Sequence, residues 1–306
     1  MKFYCSIVLL SIVSLVHASN TSRDLKIASW NMQYFSADNY VSLHPQSTQP
    51  RTNSERDEYR NIIEFIDADI IALQEVSGER ALELFSDNYE VIFSKQADGQ
   101  MNNNNSIHNA FLIRHSLKEN IINSFTLEKS IILYKEKDPS TGEKIERASR
   151  AFVGLRLLLD KQPLTILNVH LKHSCKSMTF NGSGCRVVRS QLDVINNFLR
   201  EEFKKSFNSR IWLVGDMNLV LTKDKQWPSF SEKLFEPSWH TESWPKYSSP
   251  VCQTSERNKF IDYLVCVSQS SNGCKGSDFR EYDYSQNSMA WGLQMSDHCP
   301  ISVINR

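Results

Sequence analysis

The sequence predicts an α/β fold, a four-layered sandwich in which two mixed β-sheets pack face to face with helices outside. Three observations predict it. Short apolar runs recur along the chain, and most end in a polar or acidic residue, as buried strands do when they present side chains at one rim. Helical periodicity is confined to a few segments interspersed among those runs. No internal repeat, Pro-rich linker or shift in composition interrupts residues 19–306, so these are expected to form a single domain.

Leu25-Lys26-Ile27-Ala28-Ser29-Trp30-Asn31 reads as a first strand with a polar end, and residues 36–53, rich in Ser, Asn, Gln and Pro, read as a loop. Tyr59, Ile62, Ile63 and Ile66 recur at helical spacing and predict a helix over 56–66. Asp69-Ile70-Ile71-Ala72-Leu73-Gln74-Glu75 is a buried strand that ends on a carboxylate. A short helix over 82–85, a strand over 89–93 and an Asn-rich loop over 98–106 follow. Strands are then expected over 110–113, 131–134, 152–159 and 164–170, with a turn at 138–142. Leu192, Ile195, Phe198, Leu199 and Phe203 share one face of a helix over 191–203. Strands over 211–214, 260–267 and 300–304 complete the order.

A hydrophobic fraction of 40% excludes a disordered chain. Lys+Arg and Asp+Glu each number 35, which weakens a nucleic-acid reading based on a large basic excess, although a catalytic nuclease needs only a local basic cleft. Residues 1–18 have the features of a secretory signal peptide: Lys2, an apolar run over 7–16, and Val16-His17-Ala18 before the cleavage point. A buried strand or a membrane anchor is the alternative, but the run is short for a bilayer, and no later stretch suggests a stable membrane span. The expected protein is secreted or periplasmic, and a monomer. Export explains six cysteines beyond the leader. Their pairing is open, but close spacing favours Cys175–Cys185 and Cys266–Cys274, which leaves Cys252 for Cys299. Zinc is the alternative, and no CxxC pair supports it. Asn-X-Ser/Thr triplets stand at Asn20, Asn104 and Asn181.

Six segments carry the chemistry: Trp30-Asn31, Leu73-Gln74-Glu75, Asn168-Val169-His170, Gly215-Asp216-Met217-Asn218, Ile261-Asp262-Tyr263 and Ser296-Asp297-His298. Five sit at or just beyond the end of an apolar run. Acids, amides and imidazoles gathered at one sheet rim suit one metal and one phosphate. In this order, over 25–304, they resemble the endonuclease/exonuclease/phosphatase superfamily. The resemblance implies a deoxyribonuclease I-like fold and metal-dependent phosphodiester hydrolysis by direct attack of water.

Residue by residue, the resemblance assigns Glu75 to the metal, with Asn31 beside it and Asp297 approaching it. It implies Mg²⁺, with Mn²⁺ possible and Ca²⁺ as a supporting ion, since hard cations take oxygen ligands. The plain alternative for Glu75 is a strand-end acid facing solvent. His298 would stand near the attacked phosphorus with Asp262 behind it, Asp216 would orient or deprotonate the water, and Asn218 would contact a phosphate oxygen. His170 would lie on the leaving-group side. Arg150 matches an arginine close to the phosphate, and Lys172 is a candidate phosphate contact. No Gly-X-Ser-X-Gly elbow supports a serine nucleophile. The pancreatic-type deoxyribonucleases carry a glutamate where this chain has Ile107-His108-Asn109-Ala110, and an arginine where it has Ser77. His108 and Asn109 are therefore candidate cleft residues in place of the usual duplex-DNA contacts. The expected activity is a secreted nuclease acting on DNA or RNA. A phospholipid or sphingomyelin phosphodiesterase, an inositol-phosphate phosphatase and a non-catalytic binding module are the alternatives. The aromatics Trp227, Phe230, Phe235, Trp239, Trp244 and Tyr247 bear on this choice: they could stack on bases, dip into lipid, or simply pack inside.

Overall fold

A computed structural model describes residues 24–36, 51–77, 79–94, 107–137, 141–173, 175, 182–221, 227–246, 249–252, 259–271, 273–284, 293 and 295–305. The leader, the three Asn-X-Ser/Thr asparagines, the loop over 98–106 and Tyr247 lie outside them.

In chain order the elements are β1 (Leu25–Phe35), α1 (Asn53–Ile66), β2 (Ile70–Val76), α2 (Glu79–Leu82), β3 (Tyr89–Phe93), β4 (His108–Arg114), β5 (Ile121–Leu127), β6 (Leu133–Lys137), β7 (Lys144–Ala148), β8 (Phe152–Leu159) and β9 (Gln162–His170). There follow α3 (Ser183–Lys205), β10 (Arg210–Asp216), α4 (Trp227–Leu234), β11 (His240–Trp244), β12 (Asp262–Ser268), β13 (Gly276–Glu281) and β14 (Ile301–Asn305). One six-stranded sheet has the order β13-β14-β1-β2-β4-β3, the other β11-β12-β10-β9-β8-β5, and β6-β7 form a separate ribbon. Both sheets are mixed as expected. A parallel pair sits inside each, β1 with β2 and β9 with β10, and their other neighbours run antiparallel.

Alternation sorts the side chains into layers. Ile27, Ile70, Ala72, Phe111 and Ile113 face the second sheet and join Leu155, Ile166, Leu213 and Val265 in the inter-sheet core. Ala28, Trp30, Ile71, Leu73 and Leu112 face the other way and are covered by Tyr59, Ile62, Ile63 and Ile66 of α1. Thr52 caps α1 through a reciprocal box with Glu55, which satisfies two otherwise orphaned helix-end donors. On the opposite side Val188, Leu192, Ile195 and Leu199 of α3 cover the second sheet. The helix begins earlier than its apolar stripe, at Ser183.

A polar tie crosses the inter-sheet core. Asn168 Nδ2 donates to Leu73 O at 2.9 Å and Ala110 O at 2.8 Å, and Gln74 Nε2 donates to Asn168 Oδ1 at 2.8 Å. These bonds fix the register between the sheets just below the rim, since an unpaired polar group there would be costly. Gly215 makes the close approach possible. Its φ is +136°, and a Cβ there would stand 2.0 Å from Val169 O and 3.2 Å from Gln74 Nε2.

The three disulfides are Cys175–Cys185, Cys252–Cys299 and Cys266–Cys274, the pairing that spacing favoured. No helix among the described residues is long and apolar enough to cross a membrane. The aromatic region resolves in favour of packing. Trp227, Phe230 and Phe235 cluster together, Trp244 stacks on Trp212 at 5.4 Å, and Trp239 rests on Phe203 at 5.0 Å. Phe230, Phe235 and Trp244 are buried, and Trp227 and Trp239 pack partly buried against the core, so these five rings are engaged in packing.

Candidate active site

Strand register builds most of the site. Across the second sheet His170, Asp216 and Asp262 are direct neighbours in one row, because β9 and β10 run parallel while β12 runs antiparallel to β10. The C-terminal ends of β9 and β10 therefore meet the N-terminal end of β12. Asn31 arrives from the facing sheet, and its Nδ2 donates to Asp216 Oδ2 at 3.0 Å.

Glu75 reaches the same rim by an irregularity. Gln74 points inward, so simple alternation would turn Glu75 outward toward α1. A register shift between Leu73 and Val76, with φ of +58° at Glu75, re-aims the side chain into the rim. Its Oε1 lies 3.6 Å from His170 Nε2 and 3.9 Å from Arg150 Nη2.

The Ser296-Asp297-His298 segment is pinned to β1. Ser296 Oγ donates to Asn31 O at 2.5 Å, and His298 N donates to Ser296 Oγ at 3.1 Å. Trp30 Nε1 and the Tyr284 hydroxyl both donate to His298 O, at 2.9 and 2.6 Å. Asp297 N donates to Gln33 Oε1 at 2.9 Å, while Gln33 N donates to Asn31 Oδ1 at 3.0 Å. His298 Nδ1 then meets Asp262 Oδ2 at 2.7 Å, and its Nε2 looks toward Asp216 Oδ2 at 3.9 Å and Asp297 Oδ1 at 3.6 Å.

This geometry splits the two histidines electrostatically. Burial lowers the His298 pKa, but the charge and hydrogen bond of Asp262, joined by Asp216 and Asp297, outweigh it and push the ring up to about 10. Burial first, then Arg150 and His298, holds His170 well below its ordinary value. At neutral pH His298 is an imidazolium and His170 a neutral ring. The Asp216 carboxyl is raised above the usual carboxylate range by burial and by Asp262 beside it. Asn218, at φ +49°, returns its backbone N–H to Asp216 Oδ1 at 2.8 Å and its amide to Leu171 O at 2.9 Å.

The residue types suit a hard divalent cation. Glu75, Asn31 and Asp297 offer only oxygen ligands. Among the described residues the partly buried Glu75 carboxylate accepts no hydrogen bond, and its nearest polar neighbours, the neutral His170 ring and the Arg150 guanidinium, stand at 3.6 and 3.9 Å, so its lone pairs are open to an ion. Burial raises the Tyr34 phenol to about 12, Glu75 adds to the rise, and Asp297 contributes further, so the two carboxylates share one neighbourhood. Asp216, Asp262 and His298 also bring ligand atoms within 4.8 Å of one another, but Asp262 there is already bonded to the His298 ring.

The four expected substrate contacts fare differently. Arg150 stands in the site beside Glu75. His108 is buried against Phe93, and burial with Arg150 nearby lowers it to about 4, so it is neutral. Asn109 Nδ2 donates to Ala151 O at 3.0 Å, which ties β4 to the residue after Arg150. Lys172 is committed elsewhere: its Nζ bonds Glu136 Oε2 at 3.2 Å and His173 Nε2 at 2.9 Å and lies over the Tyr134 ring. Gln33, Tyr34 and Tyr284 were not anticipated, and Ser296 was named only as part of the Ser296-Asp297-His298 segment, with no role of its own. The one clue to the first two is that Gln33-Tyr34 follows Asn31 with only Met32 between.

No protein-family model matches the chain. A search of curated proteins finds no match. Solved structures do match. An endonuclease/exonuclease/phosphatase protein from Bacteroides vulgatus superposes with a TM-score of 0.60 at 14% identity, covering 93% of this chain and 99% of that one. The human Nocturnin catalytic domain, solved with bound sulfate, gives 0.56 at 15% identity, over 92% and 94%. TDP2 from D. rerio, complexed with single strand DNA product, gives 0.53 at 13% identity, over 92% and 99%. With its two mixed sheets and outer helices, the chain has the fold of the endonuclease/exonuclease/phosphatase proteins.

Proposed function

We propose that this protein is a secreted, metal-dependent phosphodiesterase that hydrolyses nucleic acid by direct attack of water. The observation that carries this reading is the convergence of Glu75, His170, Asp216 and the Asp262–His298 pair at one rim, with Arg150 beside them. As an imidazolium, His298 donates to a phosphoryl oxygen as negative charge grows there. That leaves Asp216, a stronger base than an ordinary carboxylate, to orient the attacking water and take its proton. Neutral His170 faces Glu75 and Asp216 through Nε2, which favours the proton on that nitrogen; from there it donates a hydrogen bond to the leaving oxygen as charge grows on it, and the leaving group takes its proton from solvent. Arg150 and Asn218 complete the oxyanion surroundings. A Mg²⁺ ion held by Glu75, Asn31 and Asp297 would polarise the phosphate and neutralise its charge.

Nucleic acid is preferred because TDP2, with the same fold, was solved with single strand DNA product. The packed aromatics offer neither base stacking nor lipid insertion, so the choice of nucleic acid does not rest on them. Three disulfides fit an oxidising compartment. The test incubates mature protein and Mg²⁺ with plasmid DNA, single-stranded RNA, sphingomyelin vesicles and a soluble inositol phosphate. Cleavage of nucleic acid that is lost in His298→Ala is expected. Hydrolysis of only the lipid or the inositol phosphate would overturn the substrate, and equal cleavage by the variant would overturn the site.

A further inference from the structure

Beside the cleft, the β6–β7 ribbon has two unlike faces. Register pairs Tyr134 with Arg147 and Glu136 with Ile145, and this half-buried face turns toward the body. Glu136 binds Arg147 at 2.6 Å and Lys172 at 3.2 Å, and Tyr134 lies under the Lys172 ammonium at 4.6 Å. Lys172 is two residues from His170, and Arg150 is two residues beyond the end of β7. The ribbon is thus fastened on both flanks of the His170–Glu75 end of the rim.

The outer face carries Leu133, Lys135, Lys137, Lys144 and Glu146, all exposed. Lys137 and Lys144 are direct cross-strand partners. Like charges opposed in this way weaken a two-stranded ribbon, and an anion between them relieves the repulsion. Among the described residues none of the three lysines has an ion pair. In a chain with no net charge, this places a local cationic strip next to a site built for a phosphodiester. Lys135 and Lys137 stand about 7 Å apart along the strand, roughly the rise of two phosphates on one nucleic-acid strand.

We propose that the outer face of the β6–β7 ribbon grips the phosphate backbone of a nucleic-acid strand that runs out of the cleft past His170. The proposal rests on the nuclease reading above and adds where the strand leaves the site. The lysines touch only flanking phosphates, so they govern binding of polymer rather than bond cleavage.

The test compares the mature protein with Lys135→Gln/Lys137→Gln/Lys144→Gln on single-stranded DNA or RNA and on a small chromogenic phosphodiester. Lys204→Gln/Lys205→Gln, at the far end of α3, controls for loss of charge. The expected result is a rise of at least about tenfold in KM for polymer relative to the small diester. The slope of log affinity against log salt should also fall by about 2, near 0.7 for each of three lost phosphate contacts. The control should do neither. Unchanged KM ratio and salt slope in an active nuclease would overturn the ribbon proposal, as would an equal effect in the control. Failure of wild type to cleave either polymer would instead remove the nuclease reading on which it rests.

Discussion

Replacing Asp262 by Asn tests the electrostatic core of the site with almost no change in shape. The side-chain oxygen can still accept from His298 Nδ1, now held at 2.7 Å, but the negative charge is gone. Environment holds the ring at about 10 against an ordinary 6.5. At about 1.4 kcal/mol per tenfold, that gap is roughly 5 kcal/mol of preference for the imidazolium. Asp262 is the largest favourable contributor, and burial opposes it. In the variant the ring should therefore titrate several units lower, at or below its ordinary value. The assay is NMR titration of the His298 ring in metal-free protein, with kcat measured on the preferred substrate. Loss of the imidazolium and of its fixed orientation should cost a factor on the order of 10² to 10⁴ in kcat. Stability follows the same sign. A group whose folded pKa is raised contributes stability that is fully present below about 6.5 and lost as pH rises through about 10. The stability gap between wild type and variant should be widest in mild acid and close toward pH 10. A ring that still titrates near 10 in Asp262→Asn, or a kcat within threefold of wild type, would refute the reasoning.

Asn168→Ala orphans the carbonyls of Leu73 and Ala110, while Gln74 keeps its contacts to Ser29 and Ala72, so denaturant melts should show a loss of about 2–6 kcal/mol. Gly215→Ala combines a φ of +136° with a Cβ 2.0 Å from Val169 O, and should give little folded protein by yield and thermal melt. The Cys252–Cys299 bridge closes a separation of 47 residues that holds Asp262, and Cys252→Ser/Cys299→Ser should lower stability by about 4 kcal/mol. Because Cys299 follows His298 directly, kcat of the still-folded double variant should fall as well.

Much of the fold was readable because burial writes itself into composition. Strands covered on both faces, such as β2, β9, β10 and β12, are continuous apolar runs, and each was found. The strands that escaped notice are edges or ribbons with mixed faces: β5, β7, β11 and β13, where solvent on one side permits Asn, Ser, Lys and Arg. The rim residues were legible through their place after the buried runs. The bulge that turns Glu75 inward was not, because a left-handed φ at a glutamate has no signature in residue type. Lys172 illustrates the converse. Adjacency to His170 suggested a phosphate contact, but the ribbon's Glu136, far off in sequence, takes its charge.

The central claim is that Glu75 carries a divalent ion which the reaction needs. The measurement is the rate of phosphodiester cleavage by the mature protein with and without added Mg²⁺, with chelator, and in Glu75→Gln, each sample first shown to be folded by its thermal melt. A metal that stabilises transition-state charge by several kcal/mol predicts that both chelation and Glu75→Gln lower the rate at least about 100-fold, with added Mg²⁺ restoring the chelated wild type but not the variant. Undiminished cleavage in chelator, or by folded Glu75→Gln, would contradict the account.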